Sequence, residues 1–95
     1  MTTENVQELR VAFNTDIHSL ATSIIRNHDE GRRIYLACVG STAVHQAMKA
    51  VASVNAKSDG QVAVTPFFDE VRTIDRETKR PIVLTALKFW VIFEK

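Results

Sequence analysis

Hydrophobic and polar positions along the 95-residue chain fall in blocks of two kinds, four with strand character and two with the spacing of a helix. Leu9, Val11 and Phe13 flank Arg10, which predicts a first strand over 9–13. Asn14, Thr15 and Asp16 follow as capping residues. From Ile17 the apolar positions are Ile17, Leu20, Ala21, Ile24 and Ile25, one face of a helix that Gly31 ends. Residues 33–39 are too continuously apolar for a strand with one wet face, so they predict a central, buried strand. Gly40, Ser41 and Thr42 read as a turn and cap before a second helix over about 43–55. Its stripe is Val44, Ala47, Met48, Val51 and Val54, and its small residues let it lie close to a sheet.

The turn cluster Lys57-Ser58-Asp59-Gly60 precedes a third strand over 61–71. Pro66 lies inside it, and a proline cannot donate to a ladder, so this strand is expected at a sheet edge or with a bulge. Residues 75–81 are polar and fit a hairpin tip. The last strand, 82–93, is apolar on both parities, so both its faces call for cover. The expected fold class is therefore α/β, in the order βαβαββ, with a four-stranded mixed sheet and two helices packed on one face. The uncovered face of the last strand predicts a homo-oligomer, a dimer or tetramer.

Charge and composition narrow the function classes. Twelve Lys and Arg against eleven Asp and Glu leave a net charge of +1, which argues against the bulk electrostatic grip of a strongly basic nucleic-acid protein. A single cysteine, Cys38, excludes an internal disulfide and a four-cysteine metal site in one copy. The first eight residues carry two acids and no apolar run, and no stretch approaches the ~20 apolar residues of a membrane span. These features predict one domain over 1–95, with residues 1–7 as a flexible tail, in a reducing cytoplasm. No nucleophile, base and orienting group come together, and no metal or cofactor set is evident, so no enzyme activity is expected.

Element order itself suggests where chemistry could sit. If the first three strands are parallel, their carboxyl ends, at Phe13, Val39 and about Val71, emerge at one edge with both helix starts. Helix N-termini after Asn14 and Thr15 and after Gly40 and Ser41, with Thr42 beside them, would turn free N–H groups toward phosphates. The alternative is that these hydroxyls simply cap their own helices. Arg72, Arg76, Lys79 and Arg80 offer a basic arm, balanced by Asp69, Glu70, Asp75 and Glu77. Gln46 and Lys49 lie on the polar side of the second helix, either as a partner or nucleic-acid surface or as an ordinary wet face. The aromatic residues of the later strands, Phe67, Phe68, Phe89, Trp90 and Phe93, read as core or oligomer contacts rather than a base-stacking platform, because only Lys88 interleaves them. Arg32-Arg33 reads as a solvated turn at the opposite edge.

Residues 34–51, IYLACVGSTAVHQAMKAV, together with Thr65-Pro66-Phe67-Phe68-Asp69, resemble the stage V sporulation protein S family, which has an Alba-like fold. The resemblance spans about 9–94. It implies an Alba-like two-layer sandwich, no enzyme activity, and a regulatory role with binding of DNA or RNA through backbone phosphates, in which case the protein would be nucleoid-associated. Where Alba proteins carry lysines after the first strand, this chain reads Asn14-Thr15-Asp16. Where they carry arginines around the glycine turn, it reads Val39-Gly40-Ser41. Weak binding is therefore expected, and a pure assembly module is the alternative.

Overall fold

A computed structural model of the protein describes residues 5–58 and 60–94, so Asp59 of the predicted turn and residues 1–4 of the predicted tail lie outside the described residues. The elements run β1 (Val6–Val11), α1 (Ile17–Asp29), β2 (Arg33–Cys38), α2 (Ser41–Lys57), β3 (Gln61–Ile74) and β4 (Pro81–Glu94). The sheet order is β1-β2-β4-β3. β1 and β2 are parallel, while β4 is antiparallel to both β2 and β3. β1, β2 and β3 consequently point the same way, and their carboxyl ends share one edge with both helix starts and the β3–β4 turn.

Apolar burial explains this order. Leu20, Ala21 and Ile24 of α1 and Ala47, Ala50, Val51 and Val54 of α2 close one core with Ile34, Leu36, Phe89 and Val91, so both helices cover the same face. A fully buried Leu, Ile or Val is worth about 1.5–3 kcal/mol each in apolar transfer, and β2 and β4 supply the largest share from the sheet. The alanines at 47 and 50 are wholly buried, as their size allows where helix and sheet backbones approach. Gly31 ends α1 in the left-handed region, with its N–H donating to the His28 carbonyl at 2.9 Å.

Both ends of β1 differ from the sequence pattern for identifiable reasons. Val6 and Gln7, expected in a tail, open β1, because pairing with Arg33 and Ile34 extends the ladder and the Asn5 carbonyl accepts from the Arg33 N–H at 2.8 Å. At its other end β1 stops at Val11, since Thr15 closes a turn back onto Ala12, and Phe13 is left 71% exposed. Pro66 sits on the edge strand, paired in unbroken register with Phe89, so the edge alone accommodates it without a bulge. β3 and β4 are long enough to project as an arm past the helices, which leaves Phe68, Ile74 and Val83 exposed on the arm's helix-side face.

Candidate nucleic-acid interface

The shared carboxyl edge holds a cleft of about 630 Å³. Its lining includes Arg10 from β1, Gly40, Ser41 and Thr42 at the start of α2, and Arg76 from the β3–β4 turn, and it includes no acidic residue. The two helix starts that meet at this edge are built differently. At α1, Asp16 is the N-cap, its carboxylate accepting from the Ser19 N–H at 3.1 Å and from the Ser19 hydroxyl at 2.7 Å. These hydrogen bonds hold the Asp16 carboxyl below the usual range. Thr15 is spent internally, its Oγ1 accepting from the Ala12 N–H at 2.7 Å, and Asn14 is exposed in the turn. At α2, Gly40 is the N-cap with φ 92° and ψ 154°, and no side chain caps the first turn. Ser41 and Thr42, read as a cap in the sequence, are the first two helical residues and are exposed.

Gln46 is half-buried rather than part of a wet face, and its Nε2 donates to the Thr15 carbonyl at 3.0 Å, tying the two helix starts together. Lys49 is exposed on α2, eight residues beyond Ser41 and so about 12 Å down the helix, away from the cleft. Arg72 pairs with Val83 on the helix-side face of the arm and does not join Arg76. Lys79 and Arg80 are exposed in the turn, where Lys79 takes φ 62° and donates its N–H to the Asp75 carbonyl at 2.8 Å. Two of the arm's four acids are turned aside. Asp75 accepts from the Glu77 N–H at 3.0 Å, and Asp69 lies 3.0 Å from Lys88 Nζ.

A family model described as stage V sporulation protein S matches residues 7–94. The chain belongs to the stage V sporulation protein S family. Comparison with curated proteins gives no match. The SpoVS assignment makes this a small sporulation-related protein, and its α/β sheet with two helices on one face is the architecture the sequence predicts.

A second feature of this SpoVS chain was not legible beforehand. Lys88, on the sheet face opposite the helices, is only 5% exposed. Its ammonium lies 3.3 Å from Glu8 and 3.0 Å from Asp69, bridging β1 to β3 across two intervening strands, and 5.2 Å from the Tyr35 ring centre. Burial alone would lower the Lys88 value, but hydrogen bonds to Asp69 and Glu8 outweigh it and raise it above normal. Burial pushes Glu8 up, yet hydrogen bonds from Tyr35, Arg10 and Lys88 leave it lowered; Asp69 is lowered by the Glu70 N–H and by Lys88. The only sequence signal was a lone cation in an otherwise apolar strand. Arg32, read as solvated, bonds Asn27 and Glu30, each at 2.9 Å, and Arg33 lies 4.5 Å over the Trp90 ring.

Cys38 is buried in the core, and burial pushes its thiol up to about 11, which makes it an inert packing residue. Among the described residues no three His, Cys, Asp or Glu side chains are grouped to hold a metal, and no helix is long and apolar enough to cross a membrane.

Proposed function

We propose that this SpoVS protein is a noncatalytic regulator that binds the sugar-phosphate backbone of nucleic acid at the carboxyl-edge cleft. One observation carries the reading: the uncapped start of α2 opens into a cleft lined by Arg76 and by Arg10, which Glu8 holds from outside the cleft at 3.3 Å, with no acid in the lining itself. The first N–H groups of a helix have no partner within it, and together with the helix dipole they favour an anion. Gly40 keeps side-chain bulk out of the approach. Phosphate contacts of this kind position a strand without reading its sequence. Lys79 and Arg80 extend the positive edge along the arm, while Thr15, Gln46 and Asp16 hold the frame.

The protein acts as a dimer or larger oligomer on this reading, joined through Phe68, Ile74 and Val83, which are 78%, 56% and 52% exposed on the helix-side face of the arm. Two copies would double the number of phosphates engaged, which compensates for the near-neutral charge of each. Mobility-shift assays at low salt with single- and double-stranded DNA and RNA test the binding. Retarded complexes that dissolve as salt rises are expected, and no complex with any of the four would overturn the proposal. Sedimentation of Val83→Asp tests the assembly, with a fall to monomer expected.

A further inference from the structure

The sheet face opposite the helices is usually the place where a two-layer protein is either bare or covered by another chain. Here it carries a patterned surface. Tyr35 of β2, Phe67 of β3 and Trp90 of β4 form one half-buried aromatic cluster: Tyr35 meets Trp90 edge-on at 5.1 Å, and Phe67 lies 5.9 Å from Trp90 at an interplanar angle of 25°. Cations interleave these rings. The Arg33 guanidinium covers Trp90, and Lys88 sits beside Tyr35. This corrects the expectation that Lys88 alone interleaves the aromatic residues of these strands. The missing arginine comes from β2, across the strand register.

Charge continues the pattern at both ends of the face. The carboxyl-edge cleft supplies Arg10 and Arg76 at one end. At the other, a cleft of about 430 Å³ is lined by His28, Arg32, Arg33, Thr65 and Trp90 among others, with no acid in the lining, though Glu30 holds Arg32 from outside it at 2.9 Å. Of the acids that lie between, Asp69 is turned onto Lys88, and Glu8 is shared between Lys88 and Arg10, each at 3.3 Å. β2 joins the two ends, and its six residues span about 17 Å. A basic path with aromatic rings along it is the arrangement that accepts unpaired nucleotides: stacking needs only a base's flat face, and phosphates need only positive charge. A duplex keeps its bases stacked on one another and cannot use the rings.

We propose that the nucleic acid bound by this protein is single-stranded, and that it crosses the open sheet face from the Arg76 cleft to the Arg33 cleft with bases stacked on the Tyr35–Trp90–Phe67 cluster. This rests on the backbone-binding reading above and names its substrate class. Arg33 exchanges contacts it makes in the free protein, the Trp90 ring among them, for a phosphate as a base arrives, which uncovers the ring face of Trp90 for stacking. Trp90 is the only tryptophan of the chain, so its fluorescence reports on this face alone.

The test titrates the full-length protein with oligothymidylate and with a duplex of equal length at low salt, reading Trp90 emission and its quenching by acrylamide. Oligothymidylate is expected to quench the emission and shield Trp90, and the duplex is expected to do neither. Phe67→Ala and Arg33→Gln should each weaken oligothymidylate binding about tenfold, since a lost stack or phosphate contact is of that order, with circular dichroism unchanged. Duplex binding without any change at Trp90 on adding oligothymidylate would overturn this inference and leave the edge cleft standing. Absence of all binding would overturn both. A Trp90 already shielded in a dimer, and exposed only on dilution, would show that a second copy owns the face, and would overturn it as well.

Discussion

The two helix starts meet at one edge of the sheet and are finished in opposite ways. α1 is closed by its own carboxylate: Asp16 accepts from Ser19, and Thr15 closes the turn before it. α2 begins at a glycine with φ 92°, without any side chain over its first turn. The two ends are otherwise equivalent, both following a parallel strand and joined by the Gln46–Thr15 hydrogen bond. A helix start that serves only the fold is satisfied from within, as α1 is. One left open beside Arg76 and the Glu8-paired Arg10 is available to an anion from outside. Ser and Thr before a helix therefore have no fixed meaning, because the residue that reaches the N–H groups decides.

The sharpest way to break the α2 start is Gly40→Ala. No atom lies near an added Cβ, so the cost is purely conformational. A φ of 92° with ψ near 154° belongs to a region essentially reserved for glycine, and a loss of about 1–3 kcal/mol is expected, read as a lowered Tm. Gln46→Ala removes the tie between the two starts and should cost about 1 kcal/mol, measured by urea unfolding. Asp16→Ala should lower Tm while leaving low-salt nucleic-acid binding unchanged once the protein is folded, because α1's N–H groups serve the fold.

Acid titration sharpens the same contrast. The folded values of Asp16, Glu8 and Asp69 are all depressed, so their stabilisation is complete above the ordinary carboxylate values of 3.8 and 4.5 and is lost as pH falls through the lower folded values. Lys88 is raised, so its contribution holds below 10.5 and is lost as pH climbs through the folded value. Melts against pH should therefore show losses at both extremes. Asp16→Ala should shrink the acid limb without removing it, and should leave the alkaline limb as it is. An alkaline limb altered by that substitution would contradict the separation of the two regions.

Periodicity carried most of the fold. It predicted the six elements, the central β2, an edge position or a bulge for the strand with Pro66, and the common edge for three strand ends. It erred where tertiary contacts set the answer. β1 begins at Val6 because β2 offers a parallel ladder there, and a five-residue alternation gives no sign of that. The site was legible in part. Gly40, Ser41, Thr42 and Arg76 do converge, but the Thr15 hydroxyl is consumed by Ala12, the Gln46 amide by the Thr15 carbonyl, and Arg72 faces away. The Lys88 bridge joins residues 80 and 19 positions apart, and the Arg33–Trp90 contact crosses between strands; neither has a local signature.

Ser41→Asp tests the central claim most directly, because its two effects have opposite signs. A carboxylate in the first turn of α2 favours the helix dipole and should stabilise the fold by about 0.3–1 kcal/mol. The same carboxylate stands where a phosphate is expected, and like charges brought together should weaken low-salt binding by about tenfold or more. A variant that is more stable and binds poorly is the predicted result. A variant that is more stable and binds as tightly as the parent would show that the open start of α2 is not where nucleic acid is held.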